Sequence, residues 1–362
     1  VPREGARLLP RTRLALAALA GAAGVLCFAP FGLFWLAPLL WAGFLALLLT
    51  APSPRAGFAT GFAFGLAFFL AGVSWVYVSL SVFGGMAWWL AGPAAFLFCA
   101  IMALFPAFAG WSFKRLQPQG YWRRALIFAT LVALADWLRG WVFTGFPWLA
   151  LGYSQAPPSP LAGFAPLLGV FGLSFLVALA GALLLRLRAG IAFLAALALL
   201  GFGLRQVAWT SPEGDPVSVA LVQGNVPQQM KFDPQAFALT LELYLDLVAA
   251  NPAQLTILPE TALPSFFNSL PPLYVEALNK AVRAHGGDLV TGTLTGDRGA
   301  YWNSAVTLGA SPIQTYSKRH LVPFGEFIPP GFAWFMAYAN IPMSNFSRGP
   351  EEQPPFAIAG TR

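Results

Sequence analysis

Charged residues make up only 10% of this 362-residue chain, while 57% is hydrophobic. An ordinary soluble domain carries about 25% charged residues. With a mean hydropathy of +0.66, that scarcity excludes a water-soluble globular protein and points to an integral membrane protein. Cysteine is nearly absent. Cys27 and Cys99 both lie in hydrophobic runs without metal-ligand spacing or a polar companion, so each reads as a buried apolar thiol. Histidine is equally sparse: His285 and His320 form no cluster with carboxylates at ligand spacing, and no metal or other cofactor is expected. Acidic residues are almost missing from the first part of the chain. Residues 1–210 hold 13 Lys/Arg against 2 Asp/Glu, whereas residues 211–362 hold 8 against 12. The net charge of +7 therefore belongs to the hydrophobic half, and nucleic acid is not implied as a partner.

What is present in that half is a series of long apolar runs. Stretches near the 20 or so residues that span a bilayer occur at 12–29, 31–50, 57–80, 86–112, 122–143, 161–185 and 189–209, which predicts about seven transmembrane helices. No polar cleavage region follows the first run, so it reads as a retained helix rather than a signal peptide. Arg3, Arg7, Arg11 and Arg13 precede the first run. Arg55, then Lys114, Arg115, Arg123 and Arg124, then Arg186 and Arg188 fill every second connection, while 29–32 and 81–85 carry no charge. Positive loops remain cytoplasmic. The amino terminus is thus expected inside, and residues 211–362 outside. Asp136 and Arg139, three residues apart in the fifth run, share a helix face and can pair. A functional and a purely structural role both stand open for them.

From Ser211 the pattern changes. SPEGDP (211–216) is a turn-rich linker dividing a transmembrane domain, 1–210, from a second domain, 211–362. Short strand candidates follow at 217–225, 255–261, 288–295, 303–309 and 313–321, with helical stretches at 234–250 and 271–285. This alternation predicts an α/β layered sheet, and the first two strands, apolar throughout, are expected to be covered on both faces. LTILPET places Glu260 just beyond a strand end, where α/β folds hold reactive groups. Its proline-flanked, apolar setting predicts a raised pKa suited to a general base, against the alternative of a surface glutamate. In YSKRHLVPFGEFIP (316–329), Lys318 and Glu326 stand in a proline-punctuated apolar loop, as charges held in a cleft rather than solvated. For Lys318 a solvated basic edge with Arg319 and His320 is the alternative. A carboxylate and a lysine without a catalytic histidine suggest acyl transfer through a cysteine, yet residues 211–362 contain none.

Six blocks, in order, carry a resemblance: SWVYVS (74–79) with FGGM (83–86), LRGWVFTGFPWLALGYSQ (138–155), LVQGNVPQQMKFD (221–233), LPETALP (258–264), YSKRHLVPFGEF (316–327) and SNFSRGP (344–350). The chain resembles the apolipoprotein N-acyltransferase family, bacterial inner-membrane enzymes whose extracytoplasmic domain is of the nitrilase (carbon–nitrogen hydrolase) type, an αββα sandwich. The resemblance implies a Glu–Lys–Cys triad, with Glu260 the general base, Lys318 the oxyanion partner and Glu326 a supporting carboxylate. It also implies substrate contacts at Phe232, where the family usually has tryptophan, and at Trp148 and Asn303. The nucleophilic cysteine is expected shortly after the SRGP block, beyond Arg362, so the chain as given is expected to be inactive. The implied reaction moves an acyl chain from a phospholipid, typically phosphatidylethanolamine, through a thioester to the amino-terminal amine of a diacylated apolipoprotein. A monomer in the inner membrane is expected. The apolar stretch 330–343 reads either as a lipid-dipping lid or as a cover for the protein's own core. The alternatives to acyl transfer are a membrane-anchored amidase in which water resolves the thioester, or a non-catalytic chain that binds lipid or lipoprotein.

Overall fold

The computed structural model describes residues 8–156, 158–296, 299–331 and 345–360. The expected lid at 330–343 lies, from residue 332 onward, outside them. The chain divides near Ser211 and Pro212 into two compact units, one of helices and one built on a sheet.

Seven helices of fifteen residues or more, among the described residues, make up the first unit: α1 Pro10–Gly24, α2 Leu36–Thr50, α3 Pro54–Val73, α4 Trp88–Leu116, α5 Tyr121–Arg139, α6 Ala165–Leu184 and α7 Leu187–Leu204. Each overlaps one of the apolar runs, but four segments are both long and apolar enough to cross a membrane: Pro54–Val73, Trp88–Leu116, Pro160–Leu184 and Leu187–Leu204. Helix α2 is apolar but only 15 residues long, about 22 Å at 1.5 Å per residue. Helix α5 carries Arg123, Arg124, Asp136 and Arg139.

Small residues decide how the helices meet. Gly57, Gly61 and Gly65 line one face of α3, and a methyl group on Gly61 would stand 2.2 Å from the Pro106 carbonyl oxygen of α4. Such a stripe lets backbones approach where no hydrophobic force operates between helices in lipid. Aromatic rings fill the rest: Phe44 stacks on Phe64 at 4.5 Å, and Trp41 meets the same ring edge-on at 5.4 Å.

A polar cluster around Arg139 interrupts this interior. Arg139 is 2% exposed and donates to Asp136 (3.0 Å) and to the carbonyls of Phe146 and Trp148. Asp136 in turn accepts from the Leu151 amide at 2.7 Å and the Ser174 hydroxyl at 2.8 Å. The pair thus ties the aromatic segment 140–151 back onto α5 and α6, with the guanidinium 5.2 Å from the Phe69 ring.

The second unit is a five-stranded sheet in the order β1 Val219–Leu221, β2 Leu255–Ile257, β3 Asp288–Gly296, β4 Tyr301–Gly309 and β5 Thr315–Ser317. The first three strands are parallel and the last three antiparallel. Helices α8 Pro234–Ala250 and α9 Pro272–Arg283 bring Leu241, Tyr244, Val248, Leu278 and Val282 into one core with Leu258, Leu289 and Leu308. The expectation that β1 is covered on both faces is not met: Val219 is 51% and Leu221 78% exposed. The reason is that the core covers one face of β1 only, and side chains alternate across a strand. Ala220 and Val222 therefore pack inward while Val219 and Leu221 do not.

Candidate active site

Strand β2 stops at Ile257, and the chain turns sharply through Leu258–Pro259–Glu260. Leu258 still donates to Val290 of β3 at 2.9 Å, and Leu263 to Gly292 at 3.1 Å, so the turn lies flat on β3. Only glycine permits this at position 292, where a Cβ would stand 2.5–2.7 Å from backbone atoms of Pro259, Glu260 and Thr261. Thr261 holds φ = +52°, an unfavourable conformation for a β-branched residue and one of the strained positions that cluster at functional sites.

Two further segments complete the site. Asn303 lies in β4 opposite Leu294, and its carbonyl accepts from the Lys318 amide at 2.8 Å. The next turn is closed by bonds from the Gly325 and Glu326 amides to the Val322 carbonyl, with Phe324 at φ = +61°. This aims Glu326 back towards Lys318, and its second oxygen accepts from the Val322 amide at 2.8 Å.

The side chains meet in a closed ring. Lys318 Nζ donates to Glu326 Oε1 at 2.9 Å and to Glu260 Oε1 at 3.2 Å. Asn303 Nδ2 donates to the same two oxygens, at 2.8 Å and 2.5 Å. Each donor bridges both carboxylates. The Glu326 side chain is 12% exposed, Lys318 32% and Glu260 61%, so two of the three charges sit in a cleft and Glu260 opens to its mouth. Among the described residues, no hydrogen bond reaches Glu260 Oε2.

Burial pushes the Glu260 carboxyl up. The Asn303 amide, then the Lys318 ammonium and Lys231, outweigh it and hold the group below the usual carboxylate range. The raised pKa expected from the apolar sequence context is thereby reversed, because donors remote in the chain stabilise the ionised form. Burial draws the Lys318 ammonium down, but Glu326 and Glu260 overcome this and keep it above the ordinary lysine value.

Four of the residues singled out in the sequence are therefore brought together: Glu260, Lys318, Glu326 and Asn303. Asn303, expected to contact substrate, donates its amide to the two carboxylates. Phe232 stands outside the ring on the segment before α8, 44% exposed. Trp148 belongs to the helical unit, where it packs against Trp75 at 5.3 Å and Phe146 at 6.1 Å. Sequence reasoning missed Lys231, whose Nζ lies 3.4 Å from the Glu260 carbonyl oxygen; its only signal was its place inside the LVQGNVPQQMKFD block. It also missed Asp288, 2% exposed, whose carboxylate accepts from the Ser311 amide and hydroxyl at 2.7 Å each and from the Ala359 amide at 2.8 Å.

Comparison with known proteins assigns the chain. Residues 20–183 match the family described as the apolipoprotein N-acyltransferase N-terminal domain, and residues 218–360 match carbon-nitrogen hydrolase. The chain is 46% identical to the apolipoprotein N-acyltransferase of Nitrosomonas europaea, covering 96% of this chain and 72% of that protein. It is 43% identical to the enzyme of the same name from Chromobacterium violaceum (96% and 70% covered) and 39% identical to that of Pseudomonas syringae pv. tomato (95% and 71%). A helical unit of apolar spans followed by a sheet with a carboxylate–lysine ring at its strand ends, aligned with such relatives over nearly its whole length, belongs to the apolipoprotein N-acyltransferase family.

Proposed function

We propose that this protein transfers a fatty acyl chain from a phospholipid, of the phosphatidylethanolamine type, to the amino-terminal amine of an S-diacylglyceryl-cysteine lipoprotein, through a cysteine thioester. The observation that carries this reading is the ring of Glu260, Lys318, Glu326 and Asn303 in a chain of this family. Cys27 and Cys99 are both buried in the helical unit, and neither is proposed as the nucleophile.

In this mechanism Glu260 takes the thiol proton. The thiolate attacks the donor's ester carbonyl, and Lys318 stabilises the oxyanion. The carbon–oxygen bond breaks, the glycerol oxygen takes the proton from Glu260, and lysophospholipid departs. The lipoprotein amine then attacks the thioester, its proton passes through Glu260 to the sulfur, and an amide is released. Glu326 and Asn303 act as positioning residues: they fix the ammonium and the base relative to one another. A low Glu260 pKa keeps the base ionised before the thiol arrives.

The same reading extends to architecture. Residues 1–210 form a seven-span domain in the bacterial inner membrane with the amino terminus cytoplasmic, supported by the alternation of arginine-rich and uncharged connections. Residues 211–362 are an extracytoplasmic nitrilase-type domain, part of an αββα sandwich, and the protein acts as a monomer. Phe232 and Trp148 offer exposed rings to the lipid chains of the substrates. The test supplies phospholipid and a diacylated lipopeptide to the whole enzyme, and N-acylated peptide is the expected product. Free fatty acid in place of acylated peptide would instead assign a hydrolase.

A further inference from the structure

The ring leaves an electrostatic problem that the chemistry above does not solve. Two carboxylates and one ammonium sum formally to −1, yet a phospholipid donor brings a phosphodiester anion towards the same cleft. Lys231 supplies the missing positive charge. It follows the short turn Gln228–Met230, is half-buried, and is held beside the base by its 3.4 Å bond to the Glu260 carbonyl. No carboxylate among the described residues lies within ion-pairing distance of it. The nearest acid in sequence, Asp233, is committed elsewhere, its side chain capping α8 through the Gln235 amide at 2.9 Å.

We propose that Lys231 recognises the phosphodiester of the acyl donor and so selects phospholipid over uncharged glycerolipids. An sn-1 ester carbon and the phosphorus are six bonds apart in a glycerophospholipid, ~7 Å when extended at ordinary bond lengths, so a cation that reads the phosphate must belong to the same residue neighbourhood as the base. Lys231 does, through its bond to the main-chain carbonyl of Glu260. A lysine suits the task, being a compact point charge on a flexible stem that follows a mobile phosphate without demanding bidentate geometry.

The proposal rests on the acyl-transfer reading, and the test separates the two. Acyl-enzyme formation by the whole enzyme is measured with dihexanoyl-phosphatidylethanolamine and with dihexanoylglycerol, which lacks phosphate. Lys231→Gln should penalise the phospholipid about tenfold more than the diacylglycerol, mainly in KM, and Lys231→Arg should recover most of the loss. Glycerophosphoethanolamine should compete with the phospholipid in the wild type and about tenfold less well in Lys231→Gln. Equal losses on both donors would place Lys231 on Glu260 rather than on phosphate and overturn the proposal. So would competition by inorganic phosphate as strong as by the headgroup, which would mark a general anion site. Acyl-enzyme formed by Lys318→Met would refute the underlying mechanism instead, whatever Lys231 does.

Discussion

Replacing Asn303 with leucine, nearly the same shape without the amide, tests whether the two carboxylates are held as one unit. Glu260 Oε1 and Glu326 Oε1 both lie within 3.2 Å of one ammonium nitrogen. Both also lie within 2.8 Å of the Asn303 amide nitrogen, so they are about 5 Å apart at most, and two unit charges at ~5 Å repel by about 3 kcal/mol at an effective dielectric of about 20. Asn303 relieves part of this with one hydrogen bond to each. A bond to a charged group contributes about 1.5–3 kcal/mol, but water at Glu260, 61% exposed, screens its share. A loss of about 2 kcal/mol, mostly from the Glu326 side, is the expected sum. Native-state hydrogen exchange of β4 and of 318–327 should then speed up about 30-fold at neutral pH. The sign of the pH dependence is fixed. Glu260 is depressed in the folded state, so the stability it contributes is complete above its unfolded value, near 4.3, and is lost as pH falls through the folded one. The difference between Asn303→Leu and wild type should therefore shrink on acidification. Unchanged exchange at neutral pH, or a difference that grows in acid, would refute the ring as an electrostatic unit.

Other outcomes follow from the same contacts. Arg139→Ala leaves Asp136 uncompensated in the helical interior and should cost about 3–5 kcal/mol, read as a fall in the thermal midpoint of the purified protein. Arg139→Lys should recover only part, because an ammonium lacks the planar fork that reaches Asp136 and two carbonyls together. Asp288→Asn should expose the 350–360 segment to exchange, since the carboxylate gathers the Ser311 and Ala359 amides; about 2 kcal/mol is expected. Burial raises the Asp288 pKa, but those bonds outweigh it and leave the group depressed. The wild-type segment should accordingly loosen as pH falls below about 4, and Asp288→Asn should lack that step.

Local features were legible in the sequence to the extent that local chemistry fixed them. The helical stretches at 234–250 and 271–285 correspond to Pro234–Ala250 and Pro272–Arg283, because each begins at a proline suited to the first helical turn and carries its apolar residues at helical spacing. The proline-rich loop around Lys318 and Glu326 announced two charges that needed partners. Their partners were not legible: Asn303 and Glu260 lie 15 and 58 residues from Lys318 and meet it only through the β4–β5 pairing and the turn beyond β2. The direction of the Glu260 shift depends on those partners, which is why an argument from flanking prolines and apolar neighbours gave the wrong sign. The exposure of Leu221 escaped for a related reason, since an apolar triplet does not reveal that only one of its faces is covered.

The most direct test of the account is intact-mass detection of the acyl-enzyme after incubation of the whole protein with phospholipid. Wild type should gain the mass of one acyl chain on a cysteine outside the helical unit. Glu260→Gln and Lys318→Met should each reduce that adduct by a factor of about 10²–10³ or more. A normal thioester in either variant, or an acyl chain carried on Cys27 or Cys99, would contradict the assignment of Glu260 as base and Lys318 as oxyanion partner.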